Sequence, residues 1–179
     1  MPRSVVVRLR DGTLQLTLPE GFVDVLVDVF DDLASFLDAP PPGAVTDRLF
    51  PTAYLDPTEE AAEREWQAAV HDDLARGRAE GARTLIEQLR AARRRAGAVE
   101  VHVAGDDAEI LWLTVLNDAR LAMGTSLGVE AERDLEFPPD DPRAGLVEVY
   151  DALTALQFEL VEALSAALPE GEPDGDDAF

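Results

Sequence analysis

The stretch Ile110 to Gly128 (ILWLTVLNDARLAMGTSLG) constrains the fold more than any other. Read as a helix, it is apolar on nearly every side: Leu111, Trp112, Val115, Leu116, Ala119, Ala122, Met123 and Leu127 cover most of its circumference. Ile110, Leu113 and Leu121 fill much of the rest. Such a helix belongs in the middle of a domain. Asn117, Asp118 and Arg120 nevertheless interrupt it, and buried polar groups demand partners elsewhere in the fold.

The flanking patterns supply the surroundings. SVVVRL and TLQLTL on either side of Asp11-Gly12 predict a β-hairpin. Leu14, Leu16 and Leu18 alternate with Thr13, Gln15 and Thr17, so one face of the second strand is buried. Pro19-Glu20 opens a helix to Leu37 with an apolar stripe of Phe22, Val25, Leu26, Val29, Phe30, Leu33, Phe36 and Leu37. Asp24, Asp28, Asp31 and Asp38 line its other side, spread over too many turns to converge on a metal. APPPG at 39–43 stops it, and a loop pinned by Phe50 and Tyr54 follows.

Asp56 and Glu59 predict a capped start for a second helix running to Arg95, about 57 Å long. Gly77 and Gly81 lie on its stripe, where they permit a close crossing or mark a bend. Val99, Val101 and Val103 predict a third short strand, and Asp106 with Glu109 a second capping box, at the start of the central helix. Gly128 is its expected C-cap. After an acidic connection, Asp141-Pro142 starts a last helix with a seam of Leu146, Val149, Leu153, Leu156, Leu160 and Leu164, broadened by Tyr150, Phe158 and Val161.

The expected fold is α+β and mainly helical: about four long helices packed with a small N-terminal antiparallel sheet, a hairpin plus one short strand. Residues 1–168 form a single globular domain and 169–179 an acidic disordered tail. The expected core is Phe22, Leu26, Val29, Phe30, Leu33, Trp66, Val70, Leu85, Trp112, Leu116, Met123, Leu153, Leu156 and Leu160.

Composition removes several chemistries. The chain has no cysteine and no lysine; all fifteen basic residues are arginine. Thiol chemistry, Schiff bases and a phosphate-loop lysine are excluded. No apolar run reaches membrane-spanning length, and the N-terminus turns polar too quickly for a signal peptide, so a cytoplasmic protein is expected. A net charge of −22 opposes nucleic-acid binding over most of the surface and favours basic partners.

Individual constellations weaken on context. Gly124-Thr125-Ser126-Leu127-Gly128 matches the G-x-S-x-G nucleophile elbow, but a helix rather than a strand precedes the serine, and both histidines, His71 and His102, lie upstream. Neither histidine has metal-site spacing. Residues 76–95 carry seven arginines against two glutamates, a local charge of +5. Arg83, Arg90, Arg93, Arg94 and Arg95 form a candidate basic surface within it, unless the acidic faces pair with them. Asn117, Asp118 and Arg120 form the other candidate cluster. As structure, Asn117 and Arg120 share a face and would clamp connecting loops; as function, they would receive a carboxylate or phosphate.

Two motifs carry a family resemblance: RLFPTAYLDP with EREW and DDL (Arg48 to Leu74), and WLTVLNDARLAMGTSLG (Trp112 to Gly128) followed by YDALTALQFELVEAL (Tyr150 to Leu164). Together they resemble an actinobacterial domain-of-unknown-function family whose genes often neighbour that of the ClpS protease adaptor. Its members are sometimes labelled transcriptional or stress-response regulators. Arginine is usual in that family where Ser126 stands here. The resemblance implies no demonstrated catalytic residues, and no cofactor is expected. It implies a cellular protein partner, with Clp-protease components or the transcription machinery as the candidates. The expected function is therefore a non-enzymatic, regulatory interaction protein. The alternatives are a regulator contacting nucleic acid or the transcription machinery through its Arg-rich helix, and a carboxylate-dependent enzyme with Asp118 and Arg120 beside a pocket.

Overall fold

The computed structural model describes residues 4–51, 60–129, 137, 138, 141 and 143–166, with side chains from His71 onward in the helix that begins at Glu60. Tyr54, the cap at Asp56 and Glu59, the Trp66 and Val70 side chains and the 169–179 tail lie outside them. The elements are β1 (Val5–Arg8), β2 (Leu14–Pro19), α1 (Glu20–Asp38), α2 (Ala44–Leu49), α3 (Glu60–Ala91), β3 (Arg93–Arg95), β4 (Ala98–Val103), α4 (Asp106–Leu127) and α5 (Arg143–Ser165). The fold is α+β and mainly helical, as expected.

The four strands form one antiparallel sheet in the order β1-β2-β4-β3. Register places Leu14 opposite Val103, Leu16 opposite Val101 and Leu18 opposite Val99. All six are buried, so one sheet face is apolar and carries the helices. The other face is wetter: Gln15 and Thr17 are half-buried, and Val5, Val7 and His102 are exposed. The Asp11-Gly12 hairpin forms as expected, with Gly12 at φ +87° and the Thr13 N–H donating to Asp11 Oδ1.

The helical layer closes around Trp112. Phe30 of α1 meets its ring edge-on at 6.5 Å, and its indole N–H donates to Gln88 of α3 at 3.0 Å. Leu153, Leu156 and Leu160 bury the inner face of α5, which lies against α4 and β1. Phe158 and Val161, expected to broaden that face, point outward instead; Phe158 is 63% exposed. Val29 and Met123 of the expected core are half-buried, at the rim of an apolar groove.

Three local expectations are corrected. The segment after APPPG is not all loop, because Ala44–Leu49 forms the short helix α2. The second helix ends at Ala91, not Arg95, at about 48 Å of length from Glu60. Arg93–Arg95 turns back as an edge strand through Ala96 and Gly97, at φ +52° and +80°. Two consecutive positive φ values form the tight turn that suits the twist of a two-residue hairpin. Third, Gly105 and not Asp106 is the N-cap of α4, and it makes no side-chain cap hydrogen bond. Gly128 is the expected left-handed C-cap, at φ +73°.

Candidate functional site

Glu109, Asn117, Asp118 and Arg120 of α4 have four different sets of neighbours, because neighbouring positions on a helix diverge by about 100°. At the N-terminal end, Glu109 is buried and accepts two hydrogen bonds from the Arg8 guanidinium, at 3.0 and 3.2 Å. Arg8 also donates to the carbonyls of Gly12 at 2.7 Å and Ala163 at 3.4 Å. One side chain thereby joins the β1–β2 hairpin, α4 and the end of α5. Two parallel N–H···O bonds make this the strong form of an arginine–carboxylate pair. A capping-box reading of Glu109 hid this role.

At the middle, Asp118 is buried and meets Arg78 of α3 at 3.3 Å. Arg78 also donates to the Leu49 carbonyl at 3.0 Å and lies over the Phe50 ring, 5.0 Å from its centre. Phe50 packs against His71 with ring centroids 4.5 Å apart and the planes tilted by 46°. A guanidinium does fasten the chain after α2 to the core, but it is Arg78 from α3 rather than Arg120. Burial pushes the Asp118 carboxyl above its ordinary value, and the Arg78 charge opposes this only in part. Its Oδ2 is buried without a partner among the described residues. Asn117 faces α5 and accepts a long 3.5 Å bond from Gln157, whose own Oε1 is buried and unbonded.

Arg120 points elsewhere. Two residues along from Asp118, it is turned about 200° around the helix axis. It lines a cavity of ≈ 580 Å³ together with Arg48, Gly124, Thr125, Val129 and Tyr150. Its Nε is buried and has no hydrogen-bond partner among the described residues. Gly124 allows the Tyr150 ring to lie directly on the helix, since a Cβ there would sit 3.1 Å from Tyr150 Cε2. Helix packing and the C-cap thus account for both glycines of the G-x-S-x-G match. Ser126 lies within α4 and donates to the Ala122 carbonyl.

The arginine run also divides. Arg83 pairs with Asp38 at 2.5 Å, and Arg94 with Glu20 at 2.7 Å, both on the acidic side of α1. Strand alternation sends Arg94 towards α1, whereas Arg93 and Arg95 lie on the face of Glu100, directly opposite Arg93. Arg90, Arg93 and Arg95 are exposed and form no ion pair among the described residues. Among those residues no group of three or more His, Asp or Glu could hold a metal, and no helix is long and apolar enough to cross a membrane.

An α+β scaffold whose central helix carries one saturated ion pair, one under-bonded ion pair and one open arginine cavity defines the class to which this chain belongs in physical terms. By descent, the chain belongs to the Domain of unknown function (DUF2017) family, whose profile matches residues 3–164. No curated protein and no solved structure matches it.

Proposed function

We propose that this chain is a non-enzymatic regulatory protein that works by binding another protein through its cationic edge. The observation that carries the reading is the set Arg90, Arg93 and Arg95. They remain exposed and form no ion pair among the described residues, in a chain of net charge −22. Charged side chains on an edge strand deter uncontrolled strand pairing. The same charges complement an acidic segment of a partner and speed its approach. The actinobacterial, ClpS-neighbouring context that the resemblance implies makes Clp-protease components or the transcription machinery the partners to examine first, in the cytoplasm.

The test compares capture from host lysate by the wild-type chain and by the charge-reversed variant Arg90→Glu/Arg93→Glu/Arg95→Glu. The expected result is a defined protein retained by the wild type, released by high salt and lost in the variant. Equal recovery by both proteins overturns the reading. Retention of duplex nucleic acid at low salt, lost in the same variant, replaces it with the nucleic-acid alternative.

A further inference from the structure

The cavity beside α4 joins residues from three helices that are far apart in sequence. Arg48 comes from the last turn of α2, Arg120 from α4 and Tyr150 from α5. Neither arginine forms an ion pair among the described residues, although the chain holds 37 acidic residues against 15 basic ones. No acidic side chain is among the described residues that line the cavity. The buried Nε–H of Arg120 has no acceptor among the described residues, and a buried donor without an acceptor is costly enough to need an explanation.

We infer that this cavity is a binding site for a small organic oxyanion, a carboxylate or a phosphate, held between Arg48 and Arg120. Guanidinium groups present planar forks of donors that match both anions and bind them more strongly than neutral donors do. The Tyr150 hydroxyl makes no hydrogen bond within the described chain and supplies a further donor. Thr125 contributes differently: its hydroxyl already donates to the Leu121 carbonyl, so it forms wall rather than anion contact. The backbone N–H groups at the end of the cavity are also committed, Gly128 to Thr125 and Val129 to Gly124. Recognition therefore rests on side chains, and chiefly on two of them. At ≈ 580 Å³ the space admits an organic anion larger than a bare phosphate. This inference is independent of the cationic edge, which lies on β3 and the end of α3.

The test is thermal unfolding and calorimetric titration of the full chain with inorganic phosphate, with succinate and with sodium chloride at matched ionic strength. The chloride arm matters because screening alone stabilises a chain of this charge. The expected result is a saturable rise in melting temperature with phosphate or succinate beyond that with chloride. Saturation by phosphate assigns a phosphoryl ligand, and saturation by succinate a carboxylate. Arg120→Met and Arg48→Gln are each expected to raise Kd at least tenfold, and Tyr150→Phe by less. Arg48 is exposed, so Arg48→Gln tests the site without threatening the fold. No saturable effect above chloride, or binding unchanged in both arginine variants, overturns the inference.

Discussion

Arg8, which reaches the N-terminal end of α4 from β1, and Arg120, within the C-terminal half of α4, are treated in opposite ways. Arg8 reaches a buried carboxylate with two nitrogens and two backbone carbonyls with its other contacts. Arg120 has a buried nitrogen with no acceptor, in a cavity with no described acid in its wall. Carboxylates are not scarce in a chain with 37 acidic residues, so the difference is one of placement. A guanidinium that the fold saturates is part of what holds the fold together. One that the fold leaves open detracts slightly from stability and keeps its donors for something outside the chain.

The largest effect is expected at the saturated end. Glu109→Ala leaves Arg8 part-buried with its main partner gone, and should cost about 2–4 kcal/mol. Urea unfolding should show a lower midpoint with an unchanged slope. Replacing both partners, as Arg8→Met with Glu109→Leu, should recover much of that loss, because the penalty lies in the unpaired charge. A Glu109→Ala midpoint equal to that of the wild type would break the comparison at this end.

Arg78 stands between the two extremes. It makes a backbone hydrogen bond, an ion pair and a contact with the Phe50 ring. Arg78→Ala removes all three and leaves Asp118 buried alone, for an expected loss of about 2–3 kcal/mol. Asp118→Asn should matter less, within about 1 kcal/mol of wild type, because it removes the charge whose burial is unfavourable while keeping the shape. The pH dependence fixes the sign. The folded-state carboxyl titrates above the ordinary value, so between the two values the folded chain holds more protons than the unfolded one. The contribution of Asp118 to stability therefore falls as pH rises through that window. Unfolding midpoints measured across it should show Asp118→Asn gaining on the wild type as pH increases. A gap that narrows instead would mean that Arg78 outweighs burial.

The parts of this arrangement that were legible in the sequence are those governed by local period. Alternating Leu14, Leu16 and Leu18 and alternating Val99, Val101 and Val103 identify two strands, and the register shows why they belong together: each leucine sits opposite a valine. The helical spacing from Phe22 to Leu37 and the Gly128 cap are equally local. Arg93–Arg95 escaped because arginine continues a helix well and Ala96-Gly97 lacks the asparagine or aspartate that advertises a tight hairpin. The Arg8–Glu109 pair escaped because 101 residues separate its members, and no period reports such a contact. Arg120 itself was visible as an arginine inside an apolar helix. Arg48 and Tyr150 were not visible as its companions, since α2 and α5 bring them to the cavity only through tertiary packing. Helix geometry, not packing, sets Asp118 apart from Arg120, whereas Asn117 and Arg120 both face α5.

The smallest expected effect is the most informative one. In low salt without added anion, Arg120→Met should leave the urea midpoint within about 0.5 kcal/mol of wild type, or raise it slightly. Methionine fills comparable apolar space with its flexible thioether and removes a buried donor that has nothing to bond. The variant gives up no ion pair, because Arg120 makes none among the described residues. Side by side with Glu109→Ala, it asks whether Arg8, which pairs with α4, and Arg120, which belongs to it, differ as their hydrogen bonds say they do. If Arg120→Met falls as far as Glu109→Ala, Arg120 is a structural residue, and the open cavity is a by-product of how α2, α4 and α5 pack. If it holds its midpoint but loses the stabilisation that phosphate or succinate gives the wild type, the open arginine is kept for a ligand.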